Sequence, residues 1–194
     1  MNYVNTINQV LIPSIDKDLD IKVLDLFAGC GGLSLGFEAC GFETIGYEMD
    51  ENACKTYNDN LMGKCHNIKL EVGFSYPNAE VIIGGPPCQP FSVGGNQKGL
   101  KDSRDGFPIF IDAVKSINPE VFLFENVRGM MYKNKWYLME VINELKSLGY
   151  FIDYKLLNAK NYGVPQNRER VIVLGAKSNC LLPRKKNKLV TAGD

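Results

Sequence analysis

The feature that most constrains the fold is an apolar segment that runs directly into a cluster of glycines. Residues 22–27 (KVLDLF) are typical of a buried strand, residues 28–32 (AGCGG) break it, and residues 33–40 follow as a short helix that stops at Gly41. Strand, glycine turn and helix form the first unit of a nucleotide-binding βαβ fold, in which glycines allow a ligand close to the backbone. The spacing is not G-x-G-x-x-G, so the dinucleotide fingerprint is not met.

The rest of the chain continues this alternation of strands and helices. Further strands are predicted at residues 44–47, 65–68, 81–83, 121–124, 150–157 and 171–175. Helices are predicted after an Asp50 cap toward residue 61, at 107–118, and at 135–148 before Gly149. We therefore expect an α/β fold with a mostly parallel sheet and helices on both faces. Residues 1–20 are expected to be a lead-in with at most one short helix, 21–176 the core, and 177–194 a basic tail.

Composition excludes several classes of protein. A chain of 194 residues with 45% hydrophobic and 23% charged residues suits one soluble domain. No apolar run approaches the roughly 20 residues of a membrane span. The six cysteines lack the paired spacing of metal ligands, and His66 is the only histidine, so no metal site is predicted. We expect reduced thiols in a cytoplasmic protein, with His66 in a structural or surface role.

Charge is balanced overall but unevenly distributed. Residues 1–154 hold 13 Lys and Arg against 20 Asp and Glu, whereas residues 155–194 hold 9 against 2. An asymmetry of this size indicates a polyanion near the basic part. A solvated tail at RKKNK (184–188) would produce the same asymmetry.

A proline-rich loop places a cysteine after the strand at residues 81–83. The sequence is GGPPCQPFS (84–92), and each proline fixes its φ near −65°, which holds the backbone around Cys88 stiffly. At the carboxyl end of a strand, the thiol would face the crevice where α/β sheets bind ligands. The alternative is an ordinary turn with a small apolar cysteine. Residues 94–100 follow as a glycine-rich stretch long enough for a mobile lid.

Charged residues follow three other predicted strands. Glu48 lies about 20 positions beyond the glycine turn, where a carboxylate can accept both hydroxyls of a ribose. Glu125 follows an apolar strand, and partial desolvation there would let it hold a proton near neutral pH. Arg168 and Arg170 lie two positions apart on an extended segment and so point the same way, a geometry suited to gripping phosphate or a base edge.

Together these stretches resemble the DNA cytosine-5 methyltransferase family. The matching pieces, in the family's order and spacing, are DLFAGCGG (25–32), YE (47–48), GPPCQPFS (85–92), ENV (125–127) and QNRER (166–170). The resemblance covers roughly residues 21–176 and implies a Rossmann-like class I fold dependent on S-adenosylmethionine. It also implies methylation of carbon 5 of cytosine in double-stranded DNA, in a restriction-modification system.

The resemblance assigns a role to each motif. Cys88 would add to carbon 6 of a cytosine flipped out of the duplex, and Glu125 would contact ring nitrogen 3. A free thiol has a pKa near 8.5, so Cys88 is expected to need a helix N-terminus or cations such as Arg168. The catalytic residues implied are Cys88, Glu125, Arg168 and Arg170. The cofactor-binding residues implied are Phe27, Gly29, Cys30, Gly31, Gly32, Leu33, Glu48, Met49, Asn67, Ile68 and Pro87.

Two departures from the family qualify this interpretation. Asn67 stands where an aspartate usually binds the adenine amino group, although its amide oxygen can accept the same bond. Family members also continue into a target-recognition domain and a closing segment, and only 18 residues follow residue 176 here. We therefore expect a second polypeptide to carry the recognition domain. Two alternatives stay open: a tRNA cytosine-5 methyltransferase, and a non-catalytic fragment that binds S-adenosylmethionine.

Overall fold

A computed structural model describes residues 3–88 and 105–182 of the chain. The predicted lid at residues 94–100, the QPFS part of the cysteine motif and the tail from residue 183 onward lie outside the described residues. Strands and helices alternate through most of the described part. In chain order the elements are α1 Tyr3–Val10, β1 Lys22–Leu26, α2 Gly32–Glu38, β2 Glu43–Glu48, α3 Glu51–Asn60, β3 Lys64–Asn67, β4 Val81–Gly84, α4 Phe107–Ile117, β5 Val121–Val127, a 3-10 turn Arg128–Met131, α5 Lys135–Ser147, β6 Phe151–Asn158, a 3-10 turn Ala159–Tyr162 and β7 Glu169–Ala176.

Seven strands within the described residues form one sheet of order β3-β2-β1-β4-β5-β7-β6. The five strands from β3 to β5 are parallel, whereas β7 runs antiparallel to both β5 and β6. The predicted mostly parallel sheet is confirmed. The chain leaves β1 first toward β2 and later returns to β4 on its other side. Because parallel crossovers are right-handed, α2 and α3 cover one face and α4 the other. Such a switch in direction creates a ligand crevice at the strands' carboxyl ends.

The helix boundaries follow the predicted capping residues. Gly41 has φ 90° just after α2, and Gly149 has φ 95° just after α5, conformations that glycine adopts without a Cβ penalty. The side chain of Asp50 accepts a hydrogen bond from the backbone N–H of Ala53 at 2.8 Å and so caps α3.

Strand β5 extends three residues beyond its predicted apolar run. The pairing with β7 continues through Val127, which lies opposite Arg170. Hydrogen bonding to an antiparallel neighbour therefore keeps the polar Glu125 and Asn126 in strand conformation. This extension is what brings Glu125 and the arginines of β7 to one edge of the sheet.

Aromatic side chains from α4, α5 and β5 fill the core beneath the site. Phe107 contacts Phe124 and Tyr137 edge-on, with ring centroids 5.2 and 5.7 Å apart, and all three side chains are fully buried. Edge-to-face packing of this kind adds to the free energy gained by burial alone. The core therefore fixes where α4 begins, next to the cysteine loop.

Two features are absent from residues 3–88 and 105–182. None of the helices there is long and apolar enough to cross a membrane. The same ranges contain no cluster of three potential metal ligands. All six cysteines of the sequence are free thiols.

Candidate active site

A cavity of about 570 Å³ opens at the carboxyl ends of β1, β2 and β4. Its size falls within the range of small-molecule sites. Five predicted cofactor residues meet here, and seven further residues complete the wall. The lining residues are Phe27, Tyr47, Glu48, Met49, Ile68, Lys69, Leu70, Gly85, Pro87, Asp105, Gly106 and Ile109.

Phe27 has an unusual backbone conformation for a bulky residue. Its φ is 61°, in the left-handed region that non-glycine residues seldom occupy. Such strain persists only where the surrounding structure holds it, and it is concentrated at ligand sites. The ring lines the cavity directly after β1, where an aromatic face can stack on a flat heterocycle.

Gly106 allows Phe27 and Pro87 to approach each other. A Cβ at this glycine would lie 2.4 Å from Pro87 Cδ and 3.0 Å from Phe27 Cζ. The Gly106 N–H also donates to the carbonyl of Pro87 at 2.9 Å. The wall between the cavity and the cysteine loop therefore requires glycine at this position.

Both carboxylate oxygens of Glu48 are held by backbone donors. Oε2 accepts from the N–H of Gly29 at 2.8 Å, and Oε1 accepts from the N–H of Asp50 at 2.8 Å. The carboxylate thus links the glycine turn to the start of α3 and stays at the cavity wall. A fixed carboxylate with free lone pairs suits recognition of a diol.

The glycine turn lies beside the cavity rather than in its wall. Gly29 and Gly31 have φ of 54° and 85°, and a Cβ at Gly31 would lie 2.7 Å from the Tyr57 ring. The predicted cofactor residues of this turn that do not line the cavity are Gly29, Cys30, Gly31, Gly32 and Leu33. They shape the wall through the bond from Gly29 to Glu48.

Asp25 is buried directly below this turn. Its Oδ2 accepts from the Ser34 hydroxyl at 2.7 Å, and within the described part of the chain its Oδ1 has no hydrogen-bond partner. Burial raises the pKa of this carboxyl from 3.8 to about 7, although the Ser34 hydroxyl acts in the opposite direction. The first strand thus ends in a carboxyl that is partly protonated at neutral pH.

Asn67 lies outside the cavity wall, next to Glu48. Its Nδ2 donates to the carbonyls of Glu48 at 3.1 Å and Met49 at 3.0 Å. Two carbonyls on the nitrogen side orient the amide, so its oxygen faces away from them. The use of Asn67 as an acceptor for the adenine amino group stays a prediction.

Cys88 lies at the end of the cysteine loop, partly buried. Its Sγ is 3.3 Å from the Sδ of Met130, and its backbone forms an antiparallel bridge with Asp105. Burial and, to a smaller extent, the Asp105 carboxylate raise the pKa of the thiol to about 12. The thiol is therefore protonated at neutral pH in this structure.

Both predicted catalytic arginines face Glu125. Arg168 Nη2 lies 3.9 Å from Glu125 Oε1, and Arg170 Nε lies 2.7 Å from the same oxygen. The two guanidinium groups are thus engaged by a carboxylate, and among the described residues the charged group that raises the pKa of the thiol is Asp105. Activation of Cys88 by a helix N-terminus or by cations such as Arg168 stays a prediction.

Glu125 lies in ionic rather than apolar surroundings. Its side chain is 26% exposed and paired with both arginines, which corrects the expectation of apolar neighbours. The prediction that Arg168 and Arg170 point the same way is confirmed by their common partner. They line a second, polar cavity of about 370 Å³ with Val127, Arg128, Gln166, Asn167 and Glu169.

Asn126 connects the two strand ends that carry Cys88 and Glu125. Its Nδ2 donates to the carbonyl of Pro86 at 2.9 Å, and its Oδ1 accepts from the N–H of Val127 at 2.9 Å. The amide is 5% exposed, so these bonds are protected from water. They set the position of the cysteine loop relative to β5.

Sequence reasoning missed Asp105 and Tyr137. Asp105 is 4% exposed, and its Oδ1 accepts from the N–H of Phe107 at 3.1 Å. Its Oδ2 accepts from the hydroxyl of Tyr137, which is fully buried on α5. An aspartate two residues before an apolar helix signals a helix start. No sequence signal connects it to a tyrosine 32 residues later.

Comparisons with known proteins converge on one family. The family model described as C-5 cytosine-specific DNA methylase matches residues 21–191. The Type II methyltransferase M.AplI of Arthrospira platensis is 53% identical over 197 residues, covering 100% of this chain and 57% of that protein. The Type II methyltransferase M.FnuDI of Fusobacterium nucleatum is 43% identical, covering 80% of this chain and 46% of its own length.

A solved structure gives the same result. The crystal structure of a Spodoptera frugiperda DNMT2 mutant superposes with a TM-score of 0.67 at 25% identity, over 89% of this chain and 55% of that one. The chain thus spans about half the length of the curated relatives and the solved structure that it matches.

Proposed function

Because the chain belongs to the C-5 cytosine-specific DNA methylase family, we propose that it methylates carbon 5 of cytosine in DNA through a covalent Cys88 intermediate. The observation that carries the proposal is the arrangement of Cys88 and Glu125. Cys88 follows β4, Glu125 lies near the carboxyl end of the neighbouring parallel strand β5, and the Asn126–Pro86 hydrogen bond connects those ends. Pro87, the residue before Cys88, lines the adjacent cavity. The edge of the sheet at the carboxyl ends of β4 and β5 thus carries the nucleophile, the carboxylate and the ligand cavity.

The cavity suits S-adenosylmethionine as cofactor. Phe27 offers a ring for the adenine, and Glu48 offers a fixed carboxylate for the ribose hydroxyls. Met49, Ile68 and Pro87 supply apolar contact along the remaining wall. When bound, S-adenosylmethionine supplies an electrophilic methyl group. The protein's own contribution is to hold the target carbon toward it and exclude water.

Cys88 and Glu125 divide the chemistry of the base. The Cys88 thiolate forms a bond to carbon 6, and the electron pair displaced from the ring double bond makes carbon 5 nucleophilic. Glu125 stabilises the charge that builds on the ring from nitrogen 3. After carbon 5 has gained the methyl group it loses its proton to a base, and the thiolate leaves carbon 6 as the ring double bond returns.

Arg168 and Arg170 are proposed to orient Glu125 and to meet DNA. Both guanidiniums lie against Glu125 Oε1, and both line the polar cavity at the start of β7. Arginine forks match phosphate oxygens and base edges. A target cytosine must leave the duplex to reach Cys88.

We also propose that recognition of a specific site requires a second polypeptide. The chain spans 57% of the length of M.AplI. Phosphate contacts position DNA without specifying its sequence. A recognition module would therefore direct the chemistry to one cytosine.

The proposal is tested by transfer of a labelled methyl group from S-adenosylmethionine to DNA, with an RNA substrate as a parallel arm. The chain is assayed alone and with a co-expressed polypeptide corresponding to the rest of M.AplI. We expect 5-methylcytosine in DNA. We expect it to be confined to one sequence site when the co-expressed polypeptide is present. Transfer to RNA alone would favour the tRNA alternative, and site-specific transfer by the purified chain would refute the need for a partner.

A further inference from the structure

The loop that carries the nucleophile is closed at its base by residues from both of its ends. Cys88 and Asp105 form an antiparallel bridge, and the N–H of Gly106 donates to the carbonyl of Pro87 at 2.9 Å. These contacts join the end of the cysteine loop to the start of α4. The position of the Cys88 backbone therefore depends on Asp105 as well as on the Asn126–Pro86 hydrogen bond.

Asp105 is in turn held by two separate elements. Its Oδ1 accepts from the N–H of Phe107 in α4, and its Oδ2 accepts from the hydroxyl of Tyr137 in α5. Tyr137 is fully buried and packs edge-on against Phe107, with ring centroids 5.7 Å apart. Helix α5 thus reaches the base of the nucleophile loop through one buried hydroxyl and one buried carboxylate.

We infer that Asp105 and Tyr137 are positioning residues for the Cys88 nucleophile, forming a buried clamp that ties the base of its loop to helix α5. This inference rests on the proposed role of Cys88. Neither clamp residue forms a bond with the substrate. The clamp keeps Cys88 against Met130, with the two sulfur atoms 3.3 Å apart, so that the thiol has one direction of attack. Burial and, to a smaller extent, the negative charge of Asp105 also raise the pKa of the thiol.

Tyr137→Phe tests the clamp because it removes only the hydroxyl. The matched control is Tyr150→Phe, since the Tyr150 hydroxyl is also buried and donates to the carbonyl of Pro119 at 2.7 Å, away from the loop. Alkylation by iodoacetamide is followed by peptide mass spectrometry, which reads each cysteine of the full chain separately. Cys54 and Cys65, both buried elsewhere in the fold, report general loosening.

We expect Tyr137→Phe to raise the Cys88 alkylation rate about three- to tenfold, the effect of losing one buried hydrogen bond. The rates at Cys54 and Cys65 should stay unchanged, and so should all rates in Tyr150→Phe. In the same variant methyl transfer should slow while the KM for S-adenosylmethionine stays within about twofold. Faster alkylation at Cys88 alone, together with slower transfer, is a combination that general destabilisation does not produce.

The clamp is refuted if Cys88 in Tyr137→Phe reacts at the same rate as in Tyr150→Phe, or if all buried cysteines accelerate together. Should Tyr137→Phe fail to fold, Asp105→Asn gives the same test, with the pH midpoint of Cys88 alkylation expected to fall because the carboxylate charge is gone. Alkylation does not depend on methyl transfer. A wild-type chain that transfers no methyl group would therefore count against the proposed function, while the alkylation rates would still decide whether the clamp exists.

Discussion

The ligand cavity and the nucleophile are fixed by contacts of different range. Glu48 is held by backbone donors 19 and 2 residues away, both in the first βαβ unit. Cys88, by contrast, contacts Met130 across 42 residues, and its loop is tied to Asn126 across 40. The cavity is thus a product of local chain geometry, whereas the nucleophile depends on how β4, β5 and the helices pack. Substitutions should therefore separate binding from chemistry.

The two regions also differ in electrostatics. Backbone N–H groups hold the Glu48 carboxylate in place, so the cavity is ready for a ligand. The Cys88 thiol has a pKa of about 12 and is protonated at neutral pH. We expect the thiolate to form only when the target cytosine changes these surroundings. The enzyme would then avoid holding a reactive thiolate in the absence of substrate.

The largest separation of methyl transfer from cofactor binding is expected from Cys88→Ser. Methyl transfer should fall by roughly a thousandfold or more, since the loss of a covalent nucleophile removes the whole route. Binding of S-adenosylhomocysteine, measured by calorimetry, should stay within about twofold of wild type. Cys40→Ser, at an exposed cysteine just after α2, is the control. Retained transfer in Cys88→Ser would show that chemistry does not depend on this region.

Glu48→Ala should instead weaken binding in the cavity. Losing hydrogen bonds to a charged group costs about 1.5–3 kcal/mol, so the affinity for S-adenosylhomocysteine should fall about ten- to a hundredfold. Glu43→Ala, at the exposed start of the same strand, should leave the affinity unchanged. If calorimetry shows equal affinity in both variants, Glu48 does not contribute to ligand binding in the cavity.

Asp25 gives the cavity region its own pH dependence. Its folded pKa of about 7 exceeds the ordinary 3.8, so the folded state binds the extra proton and its stability falls as pH rises between these values. Between about pH 5.5 and pH 8.5, wild type should lose about 2 kcal/mol relative to Asp25→Asn. Urea unfolding at both pH values measures this, with exposed Asp59→Asn as control. Parallel pH profiles for wild type and Asp25→Asn would contradict the assignment.

The smallest expected effect is the difference in methyl-transfer rate between variants of the two arginines. Arg170 lies 2.7 Å from Glu125 Oε1 and Arg168 lies 3.9 Å from it. We expect a partly exposed ion pair to contribute about 1 kcal/mol of interaction free energy. Arg170→Ala should therefore slow methyl transfer about fivefold. Arg168→Ala should slow transfer less at saturating DNA. Single-turnover assays give both rates, and a larger loss in Arg168→Ala would reverse the proposed roles.

The local signals in the sequence predicted the parallel part of the fold well. Glycine turns, helix caps and apolar runs act over a few residues, so Gly41, Asp50 and the strands from β1 to β4 could be predicted directly. The extension of β5 through Val127 could not be predicted this way, because its polar residues are held by pairing with β7. Hydrophobicity alone carries no information about a strand stabilised by its neighbour.

The same limit applies to the candidate site. Phe27, Glu48 and Pro87 follow strand ends and were predicted to share a cavity, and they line one. Asp105 and Gly106 act through Cys88, Tyr137 and Phe27, which are distant in sequence. The effect of the Asp105 carboxylate on Cys88 could not be predicted for this reason. Long-range packing decides which ionised group a thiol meets.

The covalent bond to Cys88 is the account's central claim, and trapping it is the most direct test. DNA containing 5-fluorocytosine is incubated with S-adenosylmethionine and the chain, with and without the co-expressed polypeptide that corresponds to the rest of M.AplI. Fluorine cannot leave carbon 5 as a proton does, so the intermediate should accumulate on the peptide that contains Cys88. The account predicts a DNA-linked Cys88 peptide in wild type and none in Cys88→Ser. An adduct on another cysteine, or one that persists in Cys88→Ser, would contradict it.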